Sequence, residues 1–191
     1  MESFIPCSNL AYFQYRIIIL PLAFFCITIC ATTDDDFIKT SCGVTRYPDL
    51  CYQTLSSYAS IVQGNPTQLA NAALNLTLDS AESTCNVVVK MMKAHTLRAK
   101  EAVAIKDCVE TMKDSVDELR ESLVMMKDLE GPDFAMKMSN VQTWVSTALT
   151  DEDTCMNGFD GKSMEGKVIR SCLERVAELT SNALALINQL V

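Results

Sequence analysis

The chain has 191 residues, 49% of them hydrophobic and 21% charged, with a formal net charge of −8 and only 6 Gly and 5 Pro. So few breakers point to long uninterrupted elements in a single domain, and so acidic a balance excludes nucleic acid as a partner. A single His leaves a catalytic triad or an imidazole metal site without support.

Residues 1–31 come off this count first. Arg16 precedes an apolar run of 13 residues, Ile17 to Ile29, followed by Cys30 and Ala31. That run is too short to span a bilayer and fits a cleaved secretory signal, so no membrane association is expected after cleavage. Glu2 and Arg16 leave with it, so residues 32–191 hold 23 acidic against 15 basic side chains and keep the net charge of −8. Cys7, Cys26 and Cys30 leave too. Six cysteines stay: Cys42, Cys51, Cys85, Cys108, Cys155 and Cys172. An even count in a secreted chain reads as disulfides, although six cysteines allow fifteen connectivities and the sequence alone does not choose.

Asp34 to Thr40 is polar with no periodic face, which predicts an extended or frayed lead-in. Residues 42–64 form a helical extension in which Thr45 caps, Pro48 sits in the first turn, and Cys51, Leu55, Tyr58 and Val62 share one face up to Gly64. Asn65-Pro66 opens the next helix, with a stripe at Ala70, Leu74, Leu78, Ala81, Cys85, Val88 and Met92. A second stripe runs Ala102, Ile105, Val109, Met112, Val116, Leu119, Leu123 and Met126. After Glu130-Gly131-Pro132 comes a third helix face at Phe134, Met138, Val141, Val145 and Ala148; after a break from Gly158 to Gly166 the last runs Ile169, Cys172, Val176, Leu179, Ala183, Leu186 and Leu190. Four helices with one seam each and short loops pack as an antiparallel up-down-up-down bundle over 65–191. The expected fold is all-α.

Cys42 and Cys51 are nine residues apart, near enough to staple the lead-in onto its helix. Cys108 lies 22 residues before Glu130 and Cys155 25 after it, which at constant rise per residue makes them nearly level. Cys155, followed by Asn157-Gly158, reads as a covalent anchor where its helix turns back. Cys85 and Cys172 also share a depth, and remain either an extra disulfide or two free thiols acting as small apolar side chains.

Little here points to catalysis. His95 falls in a loop with no accompanying nucleophile motif, no C-x-x-C pair or EF-hand spacing occurs, and the methionines fill seams, so no cofactor and no metal are expected. Asn75-Leu76-Thr77 is an N-glycosylation acceptor. Glu110, Asp114, Asp117, Glu118 and Glu121 cluster on the solvent side of their helix. Like charges at this spacing repel by a few tenths of a kcal/mol per pair, so the stripe does nothing for the helix and suits a docking surface better.

With these residues assembled, the chain resembles the plant invertase and pectin methylesterase inhibitor family over nearly all of residues 32–191. FIKTSCGVTRYPDLC is similar to the family's opening, IKDCVETMKDSVDEL to its third-cysteine motif, VQTWVSTALTDEDTC to its fourth, and LTSNALALINQL to its closing helix. The resemblance implies bridges Cys42–Cys51 and Cys108–Cys155 and an apoplastic, cell-wall inhibitor that is not an enzyme. It also implies two branches. Invertase inhibitors carry Pro-Lys-Phe after the third-cysteine helix, where this chain has Pro132-Asp133-Phe134. A carboxylate brought to a glycosidase site built on two carboxylates is repelled or must take up a proton, which favours the pectin methylesterase branch over acid invertase as the partner.

In that branch the resemblance implies a one-to-one complex with the inhibitor laid over the enzyme's substrate cleft, and makes Glu110, Asp114, Asp117 and Thr154 the candidate contacts. Asn157 departs from the aspartate the family often has two residues after its fourth cysteine. An amide cannot ionise, so a pH response carried by that position is not expected here. The pro-region of some pectin methylesterases is similar too, but no catalytic domain follows Val191. A small-molecule carrier would need a cavity that these continuous seams disfavour, and a purely structural wall protein would leave the acidic stripe without a partner.

Overall fold

The computed structural model describes residues 34–94, 99–159 and 164–191. The expected signal at 1–31 and His95 lie outside the described residues. In chain order the helices are α1 (34–42), α2 (Pro48–Leu55), a 3-10 turn Ser56–Tyr58, α3 (Ala59–Val62), α4 (Pro66–Ala94), α5 (Ala99–Met126), α6 (Phe134–Asn157) and α7 (Met164–Asn188), with no strand among the described residues.

The four long helices close a ring: α4 packs on α5 and α7, and α6 packs on the same two. Gln68 near the start of α4, Met126 at the end of α5, Phe134 at the start of α6 and Leu190 just past α7 line one groove at one end of the bundle. Direction therefore alternates from helix to helix, as short connections require. Asn65 opens α4 by accepting from the amides of Thr67 at 2.9 Å and Gln68 at 3.1 Å, with Pro66 as the first helical residue.

One continuous core joins the seams. On α5 and α6 the buried faces run as the spacing predicts from Ile105 and Met138 onward, with Met112, Leu119, Met138, Val141, Val145 and Ala148 fully buried, whereas Ala102 is half-buried and Phe134, at the start of α6, is exposed. On α7 Ile169, Val176, Leu179, Ala183 and Leu186 are buried as the spacing predicts, but Cys172 and Leu190 are half-exposed, and Leu173, Thr180 and Ile187 join the core beside them. The buried face of α7 is therefore wider than one strict three-four line.

The N-terminal part differs most from expectation. Residues 34–42 are helical, not a frayed lead-in, because Ile38 and Cys42, four apart, both bury into the main core and Tyr52 Oη donates to the Asp35 carboxylate at 2.8 Å. Thr45 does not cap α2. Its buried hydroxyl donates to Cys42 O at 2.8 Å and closes the turn after α1, while Tyr47 takes the capping position without a side-chain bond. The extension is also broken into α2, the 3-10 turn and α3, ending at Gln63 in the left-handed region (φ 48°) before Gly64 (φ 69°). Asn182 of α7 ties it down: Oδ1 accepts from Tyr47 N–H at 3.0 Å and Nδ2 donates to Tyr47 O at 2.9 Å.

Disulfides join Cys42 to Cys51 and Cys108 to Cys155. Cys85 and Cys172 carry free thiols, one buried and one half-buried. Their shared depth does not bring them together, because Cys85 lies within reach of Lys113 on α5 while the α7 core line passes through Leu173 instead of Cys172. Burial raises the Cys85 thiol pKa, with the Lys113 charge pulling the other way.

Candidate functional site

The Cys108–Cys155 bridge fixes the register of α5 against α6. In antiparallel neighbours, steps in opposite directions from a common rung stay level. From this rung α5 steps through Glu110, Asp114, Asp117 and Glu121, and α6 steps back through Thr154, Thr150, Thr147 and Thr143 with the same spacing of four, three and four. All eight side chains are exposed. Two rows therefore rise side by side on adjacent ridges.

The threonine row is uniform. Each hydroxyl donates to the carbonyl four residues back: Thr143 to Ser139 O at 2.8 Å, Thr147 to Thr143 O at 3.0 Å, Thr150 to Ser146 O at 3.0 Å and Thr154 to Thr150 O at 2.8 Å. With its single proton spent inward, each hydroxyl has only lone pairs left for a partner. Carboxylates accept as well, so both rows present acceptors.

The acidic row is not uniform. Asp117 accepts from Arg120 Nη1 at 2.6 Å, and Arg120 Nη2 reaches Glu82 of α4 at 2.7 Å, so this charge is turned toward α4 and compensated. Asp114 and Glu121 of α5 and Asp151 of α6 crowd Glu118 instead, and Asp114 bears on Asp151 as well. Glu118 is half-buried between the helices, not on the solvent side as its spacing suggests, and its Oε2 is buried without a hydrogen-bond partner. Burial first, then Asp151, Asp114 and Glu121, push its pKa from 4.5 to about 7. Burial and then Asp114 raise Asp151 too. This patch takes up protons as the surroundings turn acidic, whereas Asp117 has a cation already.

Beyond this end of the face, Pro132, Asp133 and Phe134 are all exposed in the α5–α6 loop. Asp133 takes the capping position of α6 without a side-chain capping bond. Lys137 is folded back onto Asp128 at 2.9 Å and Glu130 O at 3.4 Å, so its ammonium is engaged within the loop. Asn75 is exposed on α4 and donates from Nδ2 to Asn71 O at 2.8 Å. Asn157, the last residue of α6, is exposed. Among the described residues no group of metal-ligating side chains assembles, and no helix is long and apolar enough to cross a membrane.

Sequence reasoning missed Asp151, the Arg120 clamp, the threonine row and the tie from Asn182. It also missed Glu152, a carboxyl at 0% exposure in the α6 core. A signal for that one existed: Glu152 stands four residues after Ala148 and three before Cys155, on the seam itself.

The family model described as plant invertase/pectin methylesterase inhibitor matches residues 36–186. A 21 kDa protein of Daucus carota is 46% identical over 164 residues, covering 83% of this chain and 85% of the relative. Pectinesterase inhibitor 9 of Arabidopsis thaliana is 47% identical over 164 residues, covering 81% and 80%. A crystal structure of a mutant form of a pectin methylesterase inhibitor from Arabidopsis is similar in fold, with a TM-score of 0.66 at 20% identity over 79% of this chain and 95% of that one. The chain belongs to the plant invertase/pectin methylesterase inhibitor family.

Proposed function

We propose that the protein is a secreted inhibitor of pectin methylesterase, working in the plant cell wall by laying the α5–α6 face over the enzyme's substrate cleft in a one-to-one complex. Relatives named as pectinesterase inhibitors support the target class. The observation that carries the choice of face is the pair of level rows, Glu110 to Glu121 and Thr154 to Thr143, locked in register by a disulfide. Such a face asks its partner for donors or cations, and where carboxylates meet carboxylates it binds best with a proton between them. Asp133 in the exposed loop disfavours an acidic glycosidase site, so acid invertase is the lesser candidate. Residues 1–31 act as the secretory signal in this reading, and Asn75, exposed on α4, carries the glycan.

Amide hydrogen exchange on the protein alone and with a plant pectin methylesterase tests the choice of face. Protection concentrated on α5 and α6 supports it. Protection confined to α4 and α7 refutes it.

A further inference from the structure

Beneath the docking face, three helices meet on one buried carboxyl. Ser115 Oγ of α5 lies 2.9 Å from Glu152 Oε1, and Thr180 Oγ1 of α7 lies 2.9 Å from the same oxygen. Oε2 is buried with no partner. The protons around this joint can be counted. Thr180 Oγ1 is also 3.0 Å from Val176 O, a carbonyl that can only accept, and a hydroxyl has one proton to give. Shared between Val176 O and Glu152 Oε1, that one proton satisfies neither acceptor fully.

The surroundings agree. An ionised Glu152 would have Ser115 and a shared Thr180 proton, both on Oε1, and nothing on the buried Oε2, and a buried charge so poorly paired is far costlier than a neutral acid. The charges that act on it, Asp153 and Asp151 of its own helix, are both negative. On α5 the charged residues flanking Ser115 in sequence are Lys113, Asp114 and Asp117, all exposed, and Glu118, half-buried; on α7 those before Thr180 are Glu174 and Arg175, exposed, and Glu178, half-buried. Burial outweighs the pull of the Thr180 and Ser115 hydroxyls and moves the Glu152 pKa from 4.5 to about 8.

We propose that Glu152 is a proton-held positioning residue: as a neutral acid it joins α5, α6 and α7 under the docking face, and loss of its proton loosens that joint and misaligns the two rows above it. The functional half rests on the docking reading; the folding half does not need the enzyme. Unfolded, Glu152 gives up its proton near 4.5, and folded it keeps it to about 8. The stability it contributes is therefore full below 4.5, falls as pH rises toward 8, and levels above.

Because Glu118 also titrates upward, the comparison is made in an E118Q background, between E118Q and E118Q/E152Q, on the disulfide-intact protein. The thermal midpoint of E118Q should fall by on the order of 5 to 10 °C between pH 4.5 and pH 8, and that of E118Q/E152Q by less than half as much. Inhibition of pectin methylesterase by E118Q should weaken several-fold more over this range than inhibition by E118Q/E152Q. Parallel midpoint profiles would overturn the proposal. Should the double variant fail to fold, infrared spectra of E118Q decide: a protonated carboxylic C=O band must persist at neutral pH and vanish as pH passes about 8, and its absence at neutral pH overturns the assignment. Divergent midpoints with no inhibition by any form would support the proton assignment and count against the docking reading.

Discussion

Asp151 of α6 bears on Glu118 of α5 across the helix pair that Cys108–Cys155 joins, so the protonation of one helix depends on the charge of the other. Glu118 holds a proton to about 7 against 4.5. The stability of its neutral form is present below 4.5 and lost as pH rises through 7. Glu118→Gln should therefore raise the thermal midpoint at neutral pH by about 2 to 4 °C, discounted for solvent screening, and leave it unchanged near pH 4.5. Calorimetry at both pH values checks this, and equal shifts at both would contradict it.

Asp114 raises the pKa of both Glu118 and Asp151. Removing its charge relieves the crowding without touching Arg120. Asp114→Asn should tighten inhibition at about pH 7.5 and change little at about pH 5, whereas Asp117→Asn, which leaves Arg120 paired with Glu82 alone, should lack this pH dependence. Inhibition constants for both variants at both pH values separate the two environments.

The two disulfides close loops of different size, with sequence separations of 47 for Cys108–Cys155 and 9 for Cys42–Cys51. Constraint of the unfolded chain then gives about 4 and about 2.5 kcal/mol. Urea unfolding of Cys108→Ala/Cys155→Ala should show the larger loss, and Cys42→Ala/Cys51→Ala the smaller. Lost register should also weaken inhibition in the first variant more than in the second.

Asn182 links the extension to the bundle through both backbone groups of Tyr47. Asn182→Ala leaves them without these partners and should cost about 1 to 3 kcal/mol. Hydrogen exchange should quicken over residues 34–62 more than over α5 and α6. Uniform acceleration would mean that the extension and bundle open as one unit.

Much of this fold was legible because each long helix repeats one apolar spacing that local residues do not contradict. The seams of α5 and α6 illustrate this, from Ile105 to Met126 and from Met138 to Cys155. The extension was not legible, since Ile38 and Cys42 are held by the main core and a covalent link to Cys51, and Thr45 turns back to Cys42 O instead of capping the next helix. At the site, the acidic residues could be listed but not sorted. Whether a carboxylate meets Arg120 or Asp151 depends on which neighbouring helix it faces, and single-helix periodicity gives height and face but not the neighbour's charge. Inside the run Asp151-Glu152-Asp153, Glu152 has the local context of a surface acid, although its place on the seam marks it as buried.

The most direct measurement titrates the purified protein against a fixed amount of plant pectin methylesterase and, in parallel, of acid invertase. The account predicts that pectin methylesterase activity falls linearly to an equivalence point at one inhibitor per enzyme while invertase is unaffected. Inhibition of invertase with pectin methylesterase left active would contradict it.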